Sequence, residues 1–180
     1  KKSITSVAPV VFFSALQELY LYDNLVQDAQ PVSRLRNLRK LNLSSNRLSA
    51  IPRLDSSGLE QLFLADNRIS SVVNLSNLSR LQSLSVKGNR IVDPSPVAGI
   101  ATLSSPDLRN NEIATVGHAT SILPRQPYLK DNPVCRLLIH LPDLNAACRR
   151  EPLSLILLHE IHLREPRIIL NPGILTPVNP

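Results

Sequence analysis

The sequence lacks methionine and tryptophan, and its 180 residues contain few aromatic side chains and five scattered glycines. Aromatic residues make up 3% of the chain against a hydrophobic fraction of 43%, so the core must consist mainly of Leu, Ile and Val. The scattered glycines argue against a glycine-rich phosphate-binding loop. No apolar run approaches the roughly 18 residues that a membrane-spanning helix requires. Because the chain begins with Lys1 and has no methionine, we expect a fragment of a longer protein or a trimmed product.

Basic residues outnumber acidic ones and give a formal net charge of +6 at pH 7. They are spread along the whole chain, and no basic block with interleaved aromatic residues occurs. A dispersed excess of this kind is typical of a mildly basic protein surface. We therefore expect no nucleic-acid partner.

One segment recurs six times along the chain at a nearly constant spacing. The copies read LQELYLYDNLV, LRKLNLSSNRL, LEQLFLADNRI, LQSLSVKGNRI, LSSPDLRNNEI and, in a degenerate form, PRQPYLKDNPV. Each copy carries an asparagine, and successive asparagines are 21 or 22 residues apart: Asn24, Asn46, Asn67, Asn89, Asn111 and Asn132. We expect these asparagines to turn inward and to bond backbone groups of the bend that follows each strand.

The pattern LxxLxLxxNx(L/I) resembles that of leucine-rich repeats. The resemblance implies an α/β repeat fold, namely a leucine-rich-repeat solenoid with a curved parallel β-sheet on its concave face and short 3₁₀ or helical connectors on its convex face. One copy cannot bury its own leucines, so the stacked copies form one cooperative unit. The predicted strands lie near residues 18–22, 40–44, 61–65, 83–87 and 105–109, with a weaker one near 127–130.

The short connectors and the segment LSRLQSLSVKGNRI resemble the 22-residue class typified by the leucine-rich regulatory subunit of protein phosphatase 1. The segment DNPVCRLLIHLPDL is similar to the C-terminal cap of that class, and ciliary and centrosomal members have a similar style of repeat. The resemblance implies a cytoplasmic location, with the cilium, axoneme or centrosome as expected sites and the nucleus left open. It also implies that Cys135 and Cys148 remain reduced, as is usual inside cells.

These patterns divide the chain into four segments. Residues 1–13 form an N-terminal flank or the end of an earlier repeat, 14–135 the repeat array, 136–150 the C-terminal cap, and 151–180 a proline-containing tail or linker. Three prolines, Pro106, Pro124 and Pro127, occupy or adjoin leucine positions of copies five and six. Proline cannot donate a hydrogen bond in a strand, so we expect both copies to be irregular.

Alternation along each strand predicts which side chains lie opposite the leucines and therefore face solvent. All three tyrosines and one phenylalanine fall on this surface, and exposed aromatic residues of this kind are typical of protein recognition. The predicted partner-binding residues are Glu18, Tyr20, Tyr22, Lys40, Asn42, Gln61, Phe63, Ser85, Lys87, Arg109 and Tyr128. Beside them, Arg47, Arg68 and Arg90 each follow an asparagine and should stack along one rim, where a solvated edge or an acidic partner is expected.

No residue set indicates catalysis. Cys135, His140 and Asp143 could suggest a nucleophile and base, but a cap cysteine is the better interpretation. The segment HEIH lacks the two-histidine spacing of a zinc-protease helix. We therefore expect no enzyme, no cofactor, no metal and no small-molecule substrate.

The sequence leaves three functions open for this chain, and it also leaves open that the chain is the targeting arm of a longer enzyme. The first is a non-catalytic module or scaffold that binds a protein partner on its concave face, in a ciliary or cytoskeletal assembly. The second is a module similar to a phosphatase-regulatory subunit. The third is an extracellular leucine-rich-repeat recognition domain, which more cysteines in the caps would favour.

Overall fold

The computed structural model describes residues 4–54, 58–122, 126–136 and 142–150. The β-strands within these residues are β1 (Glu18–Tyr20), β2 (Lys40–Asn42), β3 (Gln61–Phe63) and β4 (Ser83–Ser85). The α-helices are α1 (Ser95–Ala98), α2 (Val116–Ser121) and α3 (Pro142–Arg149). The 3₁₀ helices are Ala8–Phe12, Gln30–Arg34, Val73–Leu75 and Pro133–Arg136.

Strands β1 to β4 form one parallel sheet in chain order. The register pairs Leu19 with Leu41, Leu41 with Leu62, and Leu62 with Leu84. Because strand side chains alternate between faces, these four leucines enter the same layer on one side of the sheet, and all four are buried. The predicted parallel pairing at these positions is confirmed.

The strands are three residues long instead of the five predicted. Backbone pairing continues past their ends, since the Leu21 N–H donates to Asn42 O at 2.8 Å and the Asp23 N–H donates to Ser44 O at 2.9 Å. The chain then turns at a left-handed residue that precedes each asparagine: Asp23, Ser45, Asp66, Gly88, Asn110 and Asp131, with φ values from 53° to 66°. Glycine, asparagine and aspartate tolerate this conformation best. The turn rotates the next side chain, the asparagine, into the interior.

Each asparagine joins two neighbouring turns of the solenoid. Asn89 is a representative case: its amide nitrogen donates to Val86 O and Lys87 O in its own turn, at 2.9 and 3.2 Å, and to Leu64 O in the preceding turn, at 2.9 Å. Its Oδ1 accepts from the Ile69 N–H at 2.9 Å. The inward, structural role predicted for the asparagines is confirmed.

The fifth copy departs from strand geometry at its proline. Asp107 forms a single parallel bridge with Ser85 in place of the strand predicted at 105–109. Pro106 is buried in the leucine column but has no N–H, and the preceding Ser105 takes a left-handed φ of 50°. The Asp107 N–H still donates to Leu84 O at 2.9 Å, so the turn stays attached to β4.

The sixth copy repeats this departure. Gln126 has a φ of 50°, Pro127 is buried, and Tyr128 forms a single parallel bridge with Asp107. The expected irregularity of copies five and six is confirmed for the described residues, and the five-residue strand predicted in copy five is wrong. Pro124 lies outside the described residues.

The core is one continuous aliphatic layer that runs from Val7 to Ala147. Leucine, isoleucine and valine from the strands pack against those of the connectors, such as Ile51, Val72 and Leu75. The connectors are 3₁₀ helices or helices of four to six residues, as predicted. Their brevity follows from the 21–22-residue period, which leaves no room for a longer helix after the strand and turn.

The asparagine pattern extends to the first described residues. The Ile4 N–H donates to Asn24 Oδ1 at 3.2 Å, as the Val26 N–H donates to Asn46 Oδ1 at 2.9 Å one turn later. The Leu25 N–H donates to Ile4 O at 2.9 Å. Ile4 therefore takes the place in the stack that Val26 takes in the following turn. The division of the chain into four segments stays a prediction, and residues 151–180 lie outside the described residues.

A disulfide joins the two cysteines at the C-terminal end of the array. Cys135, in the 3₁₀ helix Pro133–Arg136, is bonded to Cys148 in α3, and their Cα atoms are 5.8 Å apart. The Leu129 N–H donates to Ala147 O at 3.1 Å and attaches α3 to the sixth turn. The prediction that both thiols are reduced is wrong, because the helix and the sixth turn bring them together at bonding distance.

Candidate protein-binding surface

The register aligns the predicted binding residues in rows across the solvent face of the sheet. The central row carries an aromatic residue in copies one, three and six, and reads Tyr20, Asn42, Phe63, Ser85, Asp107, Tyr128. The lower row reads Glu18, Lys40, Gln61, Ser83. Tyr22, Lys87 and Arg109 each lie two residues beyond the central row in their copies. The backbone register thus places the residues of these rows on one face of the sheet, as expected.

Most side chains in these rows are half-buried. This holds for Tyr20, Tyr22, Phe63 and Tyr128. Ser85 is 6% exposed and presents little surface to a partner, although it was predicted to bind one. Partial burial restricts the rotamers of the aromatic side chains before any partner arrives, which lowers the entropy lost on binding.

A polar cluster lies at the N-terminal end of the face. Glu18 accepts a hydrogen bond from Tyr20 Oη on Oε2 at 3.0 Å and pairs with Lys40 Nζ through Oε1 at 3.0 Å. Partial burial raises the pKa of Glu18, but the hydrogen bonds from Lys40 and Tyr20 and the charge of Lys40 outweigh it, so the net pKa lies below the usual value. Burial, together with the Glu18 hydrogen bond and charge, raises the pKa of Tyr20 from 10.0 to about 12.

Titration of Tyr20 reports on this cluster. Because its folded-state pKa is raised, the stabilising contribution of protonated Tyr20 is complete below pH 10 and is lost as the pH rises through about 12. In a Glu18→Gln variant we expect the pKa of Tyr20 to fall but to stay above 10.0, since burial remains after the carboxylate charge is removed. An NMR pH titration of the Tyr20 ring measures this. An unchanged pKa would contradict the hydrogen bond, and a Glu60→Gln variant is the control.

A second ion pair lies at the C-terminal part of the face. Arg109 donates from Nε to Asp107 Oδ1 and from its Nη2 to Asp107 Oδ2, both at 2.9 Å. Asp107 is 2% exposed, and its side chain needs this bidentate partner because an unpaired buried carboxylate is costly. Arg109, predicted to bind a partner, therefore also holds Asp107 inside the protein.

The structural role of Asp107 was missed from the sequence. A signal was present, since Asp107 and Arg109 are two residues apart and alternation places them on the same face of one turn. The register that would bury one of them could not be read from copy five alone, because Pro106 replaces its leucine. Asn42 likewise turns to its own backbone, and its Oδ1 accepts from the Ser44 N–H at 3.0 Å.

The three rim arginines stack as predicted. The Arg47 N–H donates to Val26 O at 2.9 Å, and the N–H groups of Arg68 and Arg90 make the equivalent bonds to the preceding turn at 2.8 Å. All three side chains are exposed. They lie beyond the C-terminal ends of the strands, beside the binding rows.

Within the described residues, no group of three or more His, Cys, Asp or Glu side chains is placed to hold a metal ion. None of the helices in that part of the chain is long and apolar enough to cross a membrane. His140, His159 and His162 lie outside the described residues.

Comparisons with known proteins agree with this architecture. The family model described as leucine-rich repeats (2 copies) matches residues 14–56. No curated protein sequence matches the chain. The repeat register, the open parallel sheet and the short 3₁₀ turns define a leucine-rich-repeat fold, as predicted.

Solved structures share this fold. An internalin (inlF) from Listeria monocytogenes str. 4b F2365 aligns with 72% of this chain at 24% identity and a TM-score of 0.66. An internalin C2 (inlC2) from the same strain aligns with 73% at 24% identity and a TM-score of 0.55. The functional domain of InlJ from Listeria monocytogenes aligns with 74% at 17% identity and a TM-score of 0.62. This chain covers 38%, 69% and 28% of the three chains respectively, and identities this low establish similarity of fold alone.

Proposed function

We propose that this chain is a non-catalytic module that binds a protein partner on the concave face of its sheet. The observation that carries the proposal is the central row, in which the register brings Tyr20, Phe63 and Tyr128 onto one surface. Large aromatic side chains are the commonest anchors of protein interfaces, because each buries much area at a small entropy cost.

The chemistry of the face fits protein recognition. Half-buried aromatic side chains alternate with amide, hydroxyl and charged groups, as in interfaces that combine apolar anchors with polar contacts. The ion pairs of Glu18 with Lys40 and of Asp107 with Arg109 fix the positions of charged groups in advance. A partner thus meets a preorganised surface.

Variants of the aromatic anchors test the proposal. We expect a Tyr20→Ala/Tyr22→Ala/Phe63→Ala protein to bind its partner roughly a hundredfold more weakly, since each truncated anchor costs about 1 kcal/mol. Partners are identified by comparative pull-down with mass spectrometry, and affinities are then measured with purified proteins.

The control removes comparable apolar area away from the sheet. Phe12, Val73 and Val92 are 84%, 59% and 45% exposed and lie in connectors. A Phe12→Ala/Val73→Ala/Val92→Ala protein should keep full affinity. Loss of binding in this control with retention in the sheet-face variant would contradict the proposed surface.

Two settings for this activity follow from different observations. The resemblance of the repeats to the 22-residue class supports a scaffold in a ciliary or cytoskeletal assembly, or a module similar to a phosphatase-regulatory subunit, in the cytoplasm. The bond between Cys135 and Cys148 favours the other candidate, an extracellular recognition domain, because disulfides persist mainly in oxidising compartments.

A further inference from the structure

The arginine ridge, formed by Arg47, Arg68 and Arg90, is the most regular charged feature of the described surface. Its members occupy one position of three consecutive turns, and backbone hydrogen bonds hold each turn to the one before. Neighbouring turns of a parallel sheet are about 4.8 Å apart, so the three guanidinium groups start from backbone positions that span about 10 Å. Like charges this close repel one another, and an anion placed along them would relieve the repulsion.

Among the described residues, no carboxylate forms an ion pair with the ridge. Two other arginines there are paired: Arg39 lies 3.7 Å from Glu60, and Arg109 is bonded to Asp107. Arg47, Arg68 and Arg90 make no ion pair and no side-chain hydrogen bond within the described part of the chain. Their donors are therefore available to a ligand.

The two ends of the ridge differ in chemistry. The position that the ridge arginines occupy in their turns holds Leu25 in the turn before Arg47 and Glu112 in the turn after Arg90. The Glu112 N–H donates to Ile91 O at 3.0 Å, which is the same backbone bond that the Arg90 N–H makes to Ile69 O. Glu112 is exposed and would repel an acidic ligand that extended past Arg90. The ridge thus defines a basic strip of three turns with an acidic end.

We propose that the arginine ridge binds an extended acidic polypeptide segment that crosses the three turns. Alternate side chains of an extended polypeptide project on one side at intervals of about 6.6–6.8 Å, and long arginine side chains can reach across the mismatch of about 2 Å per turn. The guanidinium fork matches a carboxylate in a bidentate geometry. This surface adds to the proposed concave face and does not depend on it, since it involves none of the aromatic anchors.

A synthetic peptide in which glutamate alternates with threonine is the probe, and its glutamine analogue is the ligand control. Binding to the whole chain is measured by fluorescence anisotropy at low and high salt. We expect an Arg47→Gln/Arg68→Gln/Arg90→Gln protein to bind the glutamate peptide roughly tenfold more weakly, from three exposed charge pairs. Added salt should weaken binding by the unaltered chain much more than binding by this variant.

Two further variants separate a site from a general charge effect. Arg34, Arg80 and Arg149 are exposed and lie off the ridge, and changing all three to Gln lowers the net charge by the same three units. This control should bind within about twofold of the unaltered chain. Glu112→Arg should bind the peptide about fivefold more tightly, because it replaces a repulsive charge with a fourth ridge cation.

Equal losses in the two triple variants would overturn the proposal, since net charge alone would then explain binding. Unchanged binding in Glu112→Arg would overturn the assignment of Glu112 as the acidic end of the ridge. Binding of a heparin fragment without binding of the glutamate peptide would replace the polypeptide by a sulfated polysaccharide. Circular dichroism melts show that each variant is folded.

Discussion

An Asn89→Ala protein should lose about 3 kcal/mol of unfolding free energy relative to the unaltered chain. The substitution leaves the Ile69 N–H without its acceptor and removes the donor that bonds Leu64 O and Val86 O. These carbonyls keep a second donor, from Asn67 and Asn111 respectively, so the orphaned N–H is the largest single cost. A buried unsatisfied donor costs about 1–3 kcal/mol, and each lost hydrogen bond about 0.5–1.5 kcal/mol.

Urea denaturation followed by circular dichroism measures this loss. The control is Asn77→Ala, because Asn77 is exposed and a surface substitution of this kind changes stability by about 0.5 kcal/mol or less. Asn89→Asp keeps the acceptor for Ile69 but turns a carboxylate oxygen toward the carbonyl oxygens of Leu64, Val86 and Lys87, so its stability deficit should widen as the pH rises. Equal midpoints for Asn89→Ala and Asn77→Ala would contradict the role of the asparagine ladder.

Most of the fold could be predicted from the repeat period. Leucines at fixed offsets from Asn24, Asn46, Asn67 and Asn89 determined the positions and register of β1 to β4, because only one register buries every leucine. The same alternation identified the residues of the sheet face. Whether those residues bind a partner stays a prediction, since the fold alone does not define a function.

The features that were not predicted from the sequence depend on contacts that form only in the folded chain. The shorter strands reflect the left-handed residue before each asparagine, whose position no hydrophobic period marks. The burial of Asp107 depends on its bidentate contact with Arg109, which forms where Pro106 has shortened the strand. The disulfide depends on how α3 returns to the sixth turn, which the separation of 13 residues between Cys135 and Cys148 could not reveal.

Removing the disulfide should destabilise the C-terminal end of the array by about 3 kcal/mol. The disulfide joins residues 13 positions apart, and the loop closure lowers the entropy of the unfolded chain, which stabilises the folded state by about 3 kcal/mol. A Cys135→Ser/Cys148→Ser protein lacks this stabilisation. Because each repeat contacts only its neighbours, the loss should begin at α3 and the sixth turn. Hydrogen exchange should therefore speed up at Leu129, whose N–H bonds Ala147 O, and stay unchanged at Leu41 in β2.

The disulfide can also be tested chemically, through the reactivity of the two cysteines in the native chain. Alkylation without reductant, read by mass spectrometry, should modify neither Cys135 nor Cys148, and both should react after reduction. Reductant should lower the stability of the unaltered chain and leave that of the double serine protein unchanged. Alkylation of both cysteines before reduction, in protein taken directly from its cell, would favour the cytoplasmic setting; protection would favour the extracellular one, because cytosolic thiols are kept reduced.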